Sequence, residues 1–279
     1  MKKLIHFLKT RKANFWYRVI ILVCILIFAG SLTKLIMIYH EYNSAVSEYE
    51  DIADEFVTEI DEDDITGAAI VSEAAVEVKQ TDDNGKESVF VFKPLNVDFA
   101  SLKKTNKDVI GWIQFETFSL SYPVVKDSGD NYYLKHTFKK QKNNAGSIYI
   151  GPANNGNFQD TNTILFGHNM KNGSMFGVLS RYTKKSYFQN NQYFRIYTPN
   201  GTQRYQIFSA YRVELTGSAY TIWSRTGGTE YANWIKEIKK KSLYDTGISV
   251  TENDTVVTLS TCVTGDDNKR FVIHAKRIQ

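Results

Sequence analysis

Apolar and polar positions divide this chain into three textures. From Val19 to Tyr39 apolar residues run almost unbroken for 21 positions, which at about 1.5 Å per residue covers a hydrocarbon core of roughly 30 Å. Ser31, Thr33 and Lys34 interrupt the outer third of the run, and Lys34 is near enough to its end for the ammonium to snorkel to the interface. From Glu41 to Asp64 the pattern turns periodic: Tyr42, Val46, Tyr49, Ile52, Phe56 and Ile60 recur at spacings of three and four, which predicts an amphipathic stalk or docking helix. Between Gly67 and Pro94 the pattern loosens into a linker, with Asn84-Gly85 set to close a small hairpin between Val76–Val78 and Val89–Phe92. From about Val97 short β-rich runs take over: Val109 to Phe115, Leu120 to Val125, Ser147 to Ile150, Thr163 to Phe166, Phe194 to Thr198, Tyr205 to Val213, Val256 to Ser260 and Phe271 to Ile278. Eight such runs predict a mainly β barrel or sandwich. Asn200-Gly201 is the clearest hairpin turn, and Glu230 to Lys241, with Trp234, Ile235 and Ile238 on one face, is the clearest helix after the stalk. The expected organisation is therefore 1–40 tail and membrane span, 41–97 acidic helical stalk and linker, and 98–279 a β domain long enough for one core.

Charge gives these segments an orientation. Lys2, Lys3, Lys9, Arg11, Lys12 and Arg18 precede the apolar run with no acidic residue among them, while Glu41 to Asp64 holds eleven acids and no Lys or Arg. By the positive-inside rule the N-terminus stays cytoplasmic and the bulk of the chain lies outside. A cleaved leader is the competing reading, for which Ala29-Gly30-Ser31 supplies small residues but no clear small-x-small site. The whole-chain charge of +4 conceals 27 basic against 19 acidic residues from Ile65 onward. That balance suits work beside an anionic envelope, and with no recognisable motif for it a nucleic-acid partner is not expected.

The chemistry centres on thiols. Cys24 falls inside the apolar run, so Cys262 is the one cysteine of the exported part and has no partner for an intramolecular disulfide. A cysteine attacks carbonyls as thiolate, and with an ordinary pKa of about 8.5 it needs a base or a positive charge nearby. His136 and His274 sit in alternating runs that read as packing or surface, whereas His168 follows the buried-type run Ile164-Leu165-Phe166 and Gly167, where a side chain can face a cleft. Arg270 comes back toward Cys262 if Val263 to Asn268 is the turn of a hairpin, which would set a guanidinium beside the thiol. By residue type alone a loop histidine is more often structural and a strand-edge arginine more often faces solvent. The histidines and cysteines lack metal-ligand spacing, and no calcium or phosphate loop is visible, so no cofactor is expected.

In combination, these residues resemble a known family. Thr258-Leu259-Ser260-Thr261-Cys262 followed by Arg270 is similar to the signature of sortases, the membrane-anchored cysteine transpeptidases of Gram-positive bacteria. Phe166-Gly167-His168-Asn169-Met170 with Gly173-Ser174-Met175-Phe176 resembles the histidine segment of class B, and Asp108-Val109-Ile110-Gly111-Trp112-Ile113, Tyr122-Pro123-Val124-Val125 and Tyr132-Tyr133-Leu134 resemble its opening strands and the segment after them. The resemblance covers roughly Asp98 to the C-terminus. It implies an eight-stranded sortase-type β-barrel in which Cys262 is the nucleophile, His168 the general acid/base and Arg270 the carbonyl clamp, with Leu134, Phe166, Tyr220 and Ser260 as groove walls. It further implies surface proteins carrying a C-terminal sorting signal as substrates, cleaved after Thr, and a peptidoglycan precursor amine as acceptor. A pilin-polymerising sortase with a lysine acceptor and a non-catalytic anchored β-domain that binds wall or host ligands stand as alternatives. One departure is that Ser147-Ile148-Tyr149-Ile150 runs into Gly151-Pro152-Ala153-Asn154-Asn155 where class B members commonly continue with an aspartate and a polar turn, which leaves subgroup and substrate choice open.

Overall fold

The computed structural model describes residues 2–60, 76–81 and 87–279. It divides into two compact units, Met1–Ser44 and Ala45–Gln279. Helix α1, Lys2–Phe56, fills the first unit. Its apolar window has a mean hydropathy of 2.6 and shows its side chains to the surroundings, with Leu26, Ile27 and Phe28 all more than 60% exposed. The helix is long and apolar enough to cross a membrane.

In the second unit α1 continues from Ala45 and changes character. Ala45, Tyr49, Ile52 and Phe56 are buried, which is one helical stripe at spacings of three and four. The helix stops at Phe56, short of the expected Asp64, because the β-branched Val57 and Thr58 enter a three-residue strand, β1 (Val57–Glu59). Ile60, read from the sequence as the end of the helical stripe, follows that strand and donates its N–H to the Pro94 carbonyl at 2.9 Å. Strands β2 (Val76–Thr81) and β3 (Glu87–Phe92) form the expected antiparallel hairpin, while its Asn84-Gly85 turn lies outside the described residues. Strand β4 (Leu95–Val97) pairs with β1, and helix α2 (Phe99–Thr105) begins at Asp98, whose carboxylate caps the Ser101 N–H at 3.0 Å.

The eight β runs read from the sequence are the eight strands of a closed barrel. They are β5 (Val109–Phe115), β6 (Ser121–Lys126), β7 (Ile148–Ile150), β8 (Asn162–Phe166), β9 (Tyr193–Thr198), β10 (Gly201–Glu214), β11 (Val256–Val263) and β12 (Asp266–Arg277). Around the barrel the order is β10-β12-β11-β8-β7-β6-β5-β9. Most neighbours are antiparallel, but β6 pairs β7 and β8 pairs β11 in parallel. Helix α3 (Lys185–Asn190) lies between β8 and β9, and α4 (Thr229–Lys240) between β10 and β11. Tyr231, Trp234, Ile235 and Ile238 of α4 are buried at helical spacing with Phe208, Val256 and Val272 of the barrel wall. Each such side chain contributes about 2 kcal/mol of burial.

Two turns differ from expectation. The β9–β10 loop is Pro199-Asn200, with Thr198 paired to Gly201, because Pro favours the first corner of a type I turn and Gly its last position. The β11–β12 turn is only Thr264-Gly265, since Val263 already pairs with Asp266 and Gly265 takes a φ of +80°. The segment after β7 is a tied loop, with Asp160 accepting from Asn154 Nδ2 and from the backbone and side chain of Asn155.

Candidate active site

Strand β11 is the spine of the site. It is hydrogen-bonded to β8 on one side, with Ser260 in register with Phe166, and to β12 on the other, with Cys262 directly opposite Arg270. Opposed residues in an antiparallel pair share a face with Cα atoms about 4.5–5.5 Å apart, so the Cys262 and Arg270 side chains leave the sheet together. On the parallel side, pairing carries on past the strand end: Gly167 N–H donates to Ser260 O at 3.1 Å, and Thr261 Oγ1 donates to Gly167 O at 2.8 Å. Two residues along each strand restore the same face, so His168 follows Phe166 as Cys262 follows Ser260. The three residues thus lie on or just beyond three adjacent strands, His168 two residues past β8, Cys262 near the end of β11 and Arg270 within β12. A register shift after Cys262 marks a bulge, a common device beside reactive residues.

Local chemistry fixes each side chain. Gly167 permits the crossing because a Cβ there would lie 2.5 Å from Ile148 Cδ1 and 2.7 Å from the Phe176 ring. His168 Nε2 is 2.6 Å from the Leu134 carbonyl oxygen. A carbonyl only accepts, so Nε2 carries the hydrogen, and Nδ1 is the nitrogen available for proton exchange with a reactant. Asn169 Nδ2 donates to Cys262 O at 2.9 Å and to Thr264 Oγ1 at 3.1 Å, which ties the histidine loop to the cysteine backbone. Arg270 Nη1 is held by the carbonyls of Asp267 and Lys269, each at 2.9 Å.

All seven site residues anticipated from the sequence line one cleft of about 310 Å³: Leu134, Phe166, His168, Tyr220, Ser260, Cys262 and Arg270. Phe166 stacks between Tyr149 and Tyr220, with centroids 5.4 and 6.1 Å away, and the Tyr220 hydroxyl is 3.0 Å from Ser260 Oγ. Burial pushes the Tyr149 phenol up to about 12. Gly167 and Thr261 line it too, and so do Asn131, Tyr149 and Leu215, which were missed in the sequence. Leu215, an apolar side chain 48% exposed just beyond β10, is the kind of signal a hydropathy pattern cannot separate from an ordinary loop residue. The other two histidines of the 98–279 region lie elsewhere. His136 stacks on Tyr132 and bonds its carbonyl, while His274 is fully buried.

Residues 113–278 match the sortase domain family. Sortase B of Listeria monocytogenes serovar 1/2a is 34% identical over 184 residues, covering 65% of this chain and 74% of that protein. The solved Staphylococcus aureus sortase B–substrate complex superimposes with a TM-score of 0.60 at 33% identity, over 65% of this chain and 85% of that one. Clostridium perfringens sortase B gives 0.59 at 34% identity, over 64% of this chain and 99% of that one. Barrel, cleft and sequence agree: the chain belongs to the sortase family of cysteine transpeptidases, and within it to class B.

Proposed function

We propose that this protein cleaves a C-terminal sorting motif of surface proteins after Thr and transfers the acyl group to a peptidoglycan precursor amine, through a thioester on Cys262. The observation that carries the reading is the convergence of His168, Cys262 and Arg270 on one cleft from three neighbouring strands. The Cys262 thiol proton passes to His168 Nδ1 as Sγ adds to the Thr carbonyl carbon, and Arg270, whose Nε and Nη2 hydrogens remain for a substrate, stabilises the oxyanion. The C–N bond then breaks as His168 delivers a proton to the leaving amine, and the thioester is attacked by the acceptor amine, whose proton returns to His168 as the C–S bond breaks. Leu134, Phe166, Tyr220 and Ser260 form the walls for the motif. In support, the Staphylococcus aureus relative was solved as a substrate complex. Cys262 also borders a second cavity of about 190 Å³ lined by Asn169, Thr183 and Arg212, which suits a reaction that admits two reactants in turn.

The same reading assigns 1–40 to a cytoplasmic tail and single membrane span, 41–97 to stalk and linker, and 98–279 to the extracellular catalytic part. The acid-free basic N-terminus and the acidic segment after the apolar run support that orientation. An anchor shared with membrane-retained substrates raises their effective concentration. The test is incubation of the full-length protein in detergent micelles with sorting-motif peptides and peptidoglycan or lysine amines, followed by intact-mass analysis. The expected result is a peptide adduct on Cys262 that the peptidoglycan amine discharges, with cleavage abolished in Cys262→Ala. Undiminished turnover in Cys262→Ala sinks the mechanism, and discharge by lysine alone redirects the acceptor to a pilin side chain.

A further inference from the structure

We propose that Tyr49, on the helix segment that precedes the barrel, is a positioning residue for His168 and holds it from two sides. The inference rests on the reading of His168 as the acid/base.

The first route runs through the loop that supplies the Leu134 carbonyl. Tyr49 is 5% exposed, and its hydroxyl donates to Gly146 O at 2.6 Å, lies 3.1 Å from Ser147 Oγ and accepts from the Phe138 N–H at 3.2 Å. Gly146 is in turn pressed against the carbonyl that orients His168. It sits at a φ of +57°, and a Cβ added there would come within 2.8 Å of Leu134 O and 2.6 Å of Tyr133 O. Glu48, one residue before, secures the same loop by accepting from Thr137 Oγ1 and from the Lys139 N–H, both at 2.8 Å. From phenol to imidazole the path runs from the Tyr49 hydroxyl to Gly146 O, from the adjoining Ser147 N–H to Tyr133 O at 2.9 Å, and from the next carbonyl, Leu134 O, to His168 Nε2.

The second route reaches the loop that follows His168. The Tyr49 ring meets Tyr122 edge to face at 5.3 Å, and the Tyr122 hydroxyl accepts from the Met175 N–H at 3.2 Å. Met175 holds a left-handed φ of +53° while 1% exposed, a conformation that persists only where its surroundings impose it. The next residue, Phe176, donates its N–H to the His168 carbonyl at 3.0 Å. Burial raises the Tyr49 phenol well above its ordinary range, so it keeps the hydrogen that the first route needs. One side chain thus reaches both the loop whose carbonyl meets the ring nitrogen and the loop that bonds the backbone of the same histidine.

The experiment compares the full-length protein in micelles with Tyr49→Phe, Tyr122→Phe and His168→Ala, reading acyl-enzyme formation with a sorting-motif peptide and the ring ¹⁵N shifts of His168. Tyr244→Phe is the control, since it also removes a partly buried phenol bond, to Tyr182 O at 2.8 Å, away from the cleft. Tyr49→Phe is expected to lower kcat about tenfold and to shift the His168 ring nitrogens toward a mixture of tautomers, with Tyr122→Phe showing a smaller effect of the same kind. Tyr244→Phe is expected to change neither. Wild-type kcat and wild-type His168 shifts in Tyr49→Phe overturn the proposal, as does an equal shift in Tyr244→Phe. If Tyr49→Phe does not fold, unchanged shifts in Tyr122→Phe overturn it. Full activity in His168→Ala would instead refute the acid/base assignment itself.

Discussion

His168 and His274 flank the same strand and have opposite fates. His274 on β12 pairs with Thr258 in the buried middle of β11, while His168 stands beside Cys262 at its open end. His274 is fully buried and its pKa falls to about 3, chiefly from burial with a further push from the Lys241 charge. The neutral ring then relays hydrogen bonds: Tyr211 OH to Nε2 at 3.1 Å, Nδ1–H to Thr258 Oγ1 at 2.8 Å, and Thr258 Oγ1–H to Asn162 Oδ1 at 2.6 Å. Asn162 Nδ2 finishes the relay on the carbonyls of Ala219 and Thr221, on either side of the groove residue Tyr220. Four residues along the strand, the other histidine holds one backbone carbonyl and faces a cleft. The same imidazole is a structural spacer where both its nitrogens are occupied in the core, and a candidate proton carrier where one is left for a reactant.

This contrast can be broken from either side. The largest effect is expected in His168→Gln, which keeps a donor for Leu134 O but no titrating ring: acyl-enzyme formation should fall about 10³-fold while the urea midpoint of the full-length protein stays near wild type. A fall in stability with activity retained would reverse the assignments of the two histidines.

Next in size is the acid response of His274. Its folded pKa lies below the unfolded value of 6.5, so below pH 6.5 the unfolded chain binds the proton first and stability is lost as pH falls toward 3. At pH 4.5 this amounts to about 3 kcal/mol. Urea unfolding at pH 7 and 4.5 should show that loss in the wild type and a smaller one in His274→Gln, and equal losses in both would remove His274 as its source. The smallest effect is expected for Thr258→Val, which leaves His274 Nδ1 and Asn162 Oδ1 without the bridging hydroxyl and costs about 1–3 kcal/mol. Because Asn162 props the Tyr220 segment, KM for the peptide should rise with kcat preserved, whereas an unchanged KM would uncouple the core relay from the groove.

The same divide separates what could be read in the chain from what could not. Short β-rich runs between turn signals located all eight barrel strands, although β7, β8 and most of β11 are buried on both faces and show no alternation. Cys262 and Arg270 were within reach of each other by a hairpin, a local feature that needs no knowledge of the rest of the fold. Turn bounds slipped by a residue or more at Asn200-Gly201 and 263–268, where Pro199 and Gly265 decide the corner. Asn131, Tyr149 and Leu215 gave no signal, since a groove wall is defined by what it faces rather than by its own pattern.

The sequence by itself determined a long apolar helix, a set of β-rich runs, and a lone exported cysteine brought within reach of an arginine by a hairpin. These follow from hydropathy and local geometry over a few residues. The meeting of His168 with Cys262 was decided by tertiary structure, through the parallel pairing of β8 with β11 across 94 residues of chain. So was the docking of Tyr49 beside the histidine's two loops. Neither leaves a local trace, because a parallel neighbour is chosen by closure of the whole barrel, and a buried hydroxyl by which backbone groups that closure brings within 3 Å of it.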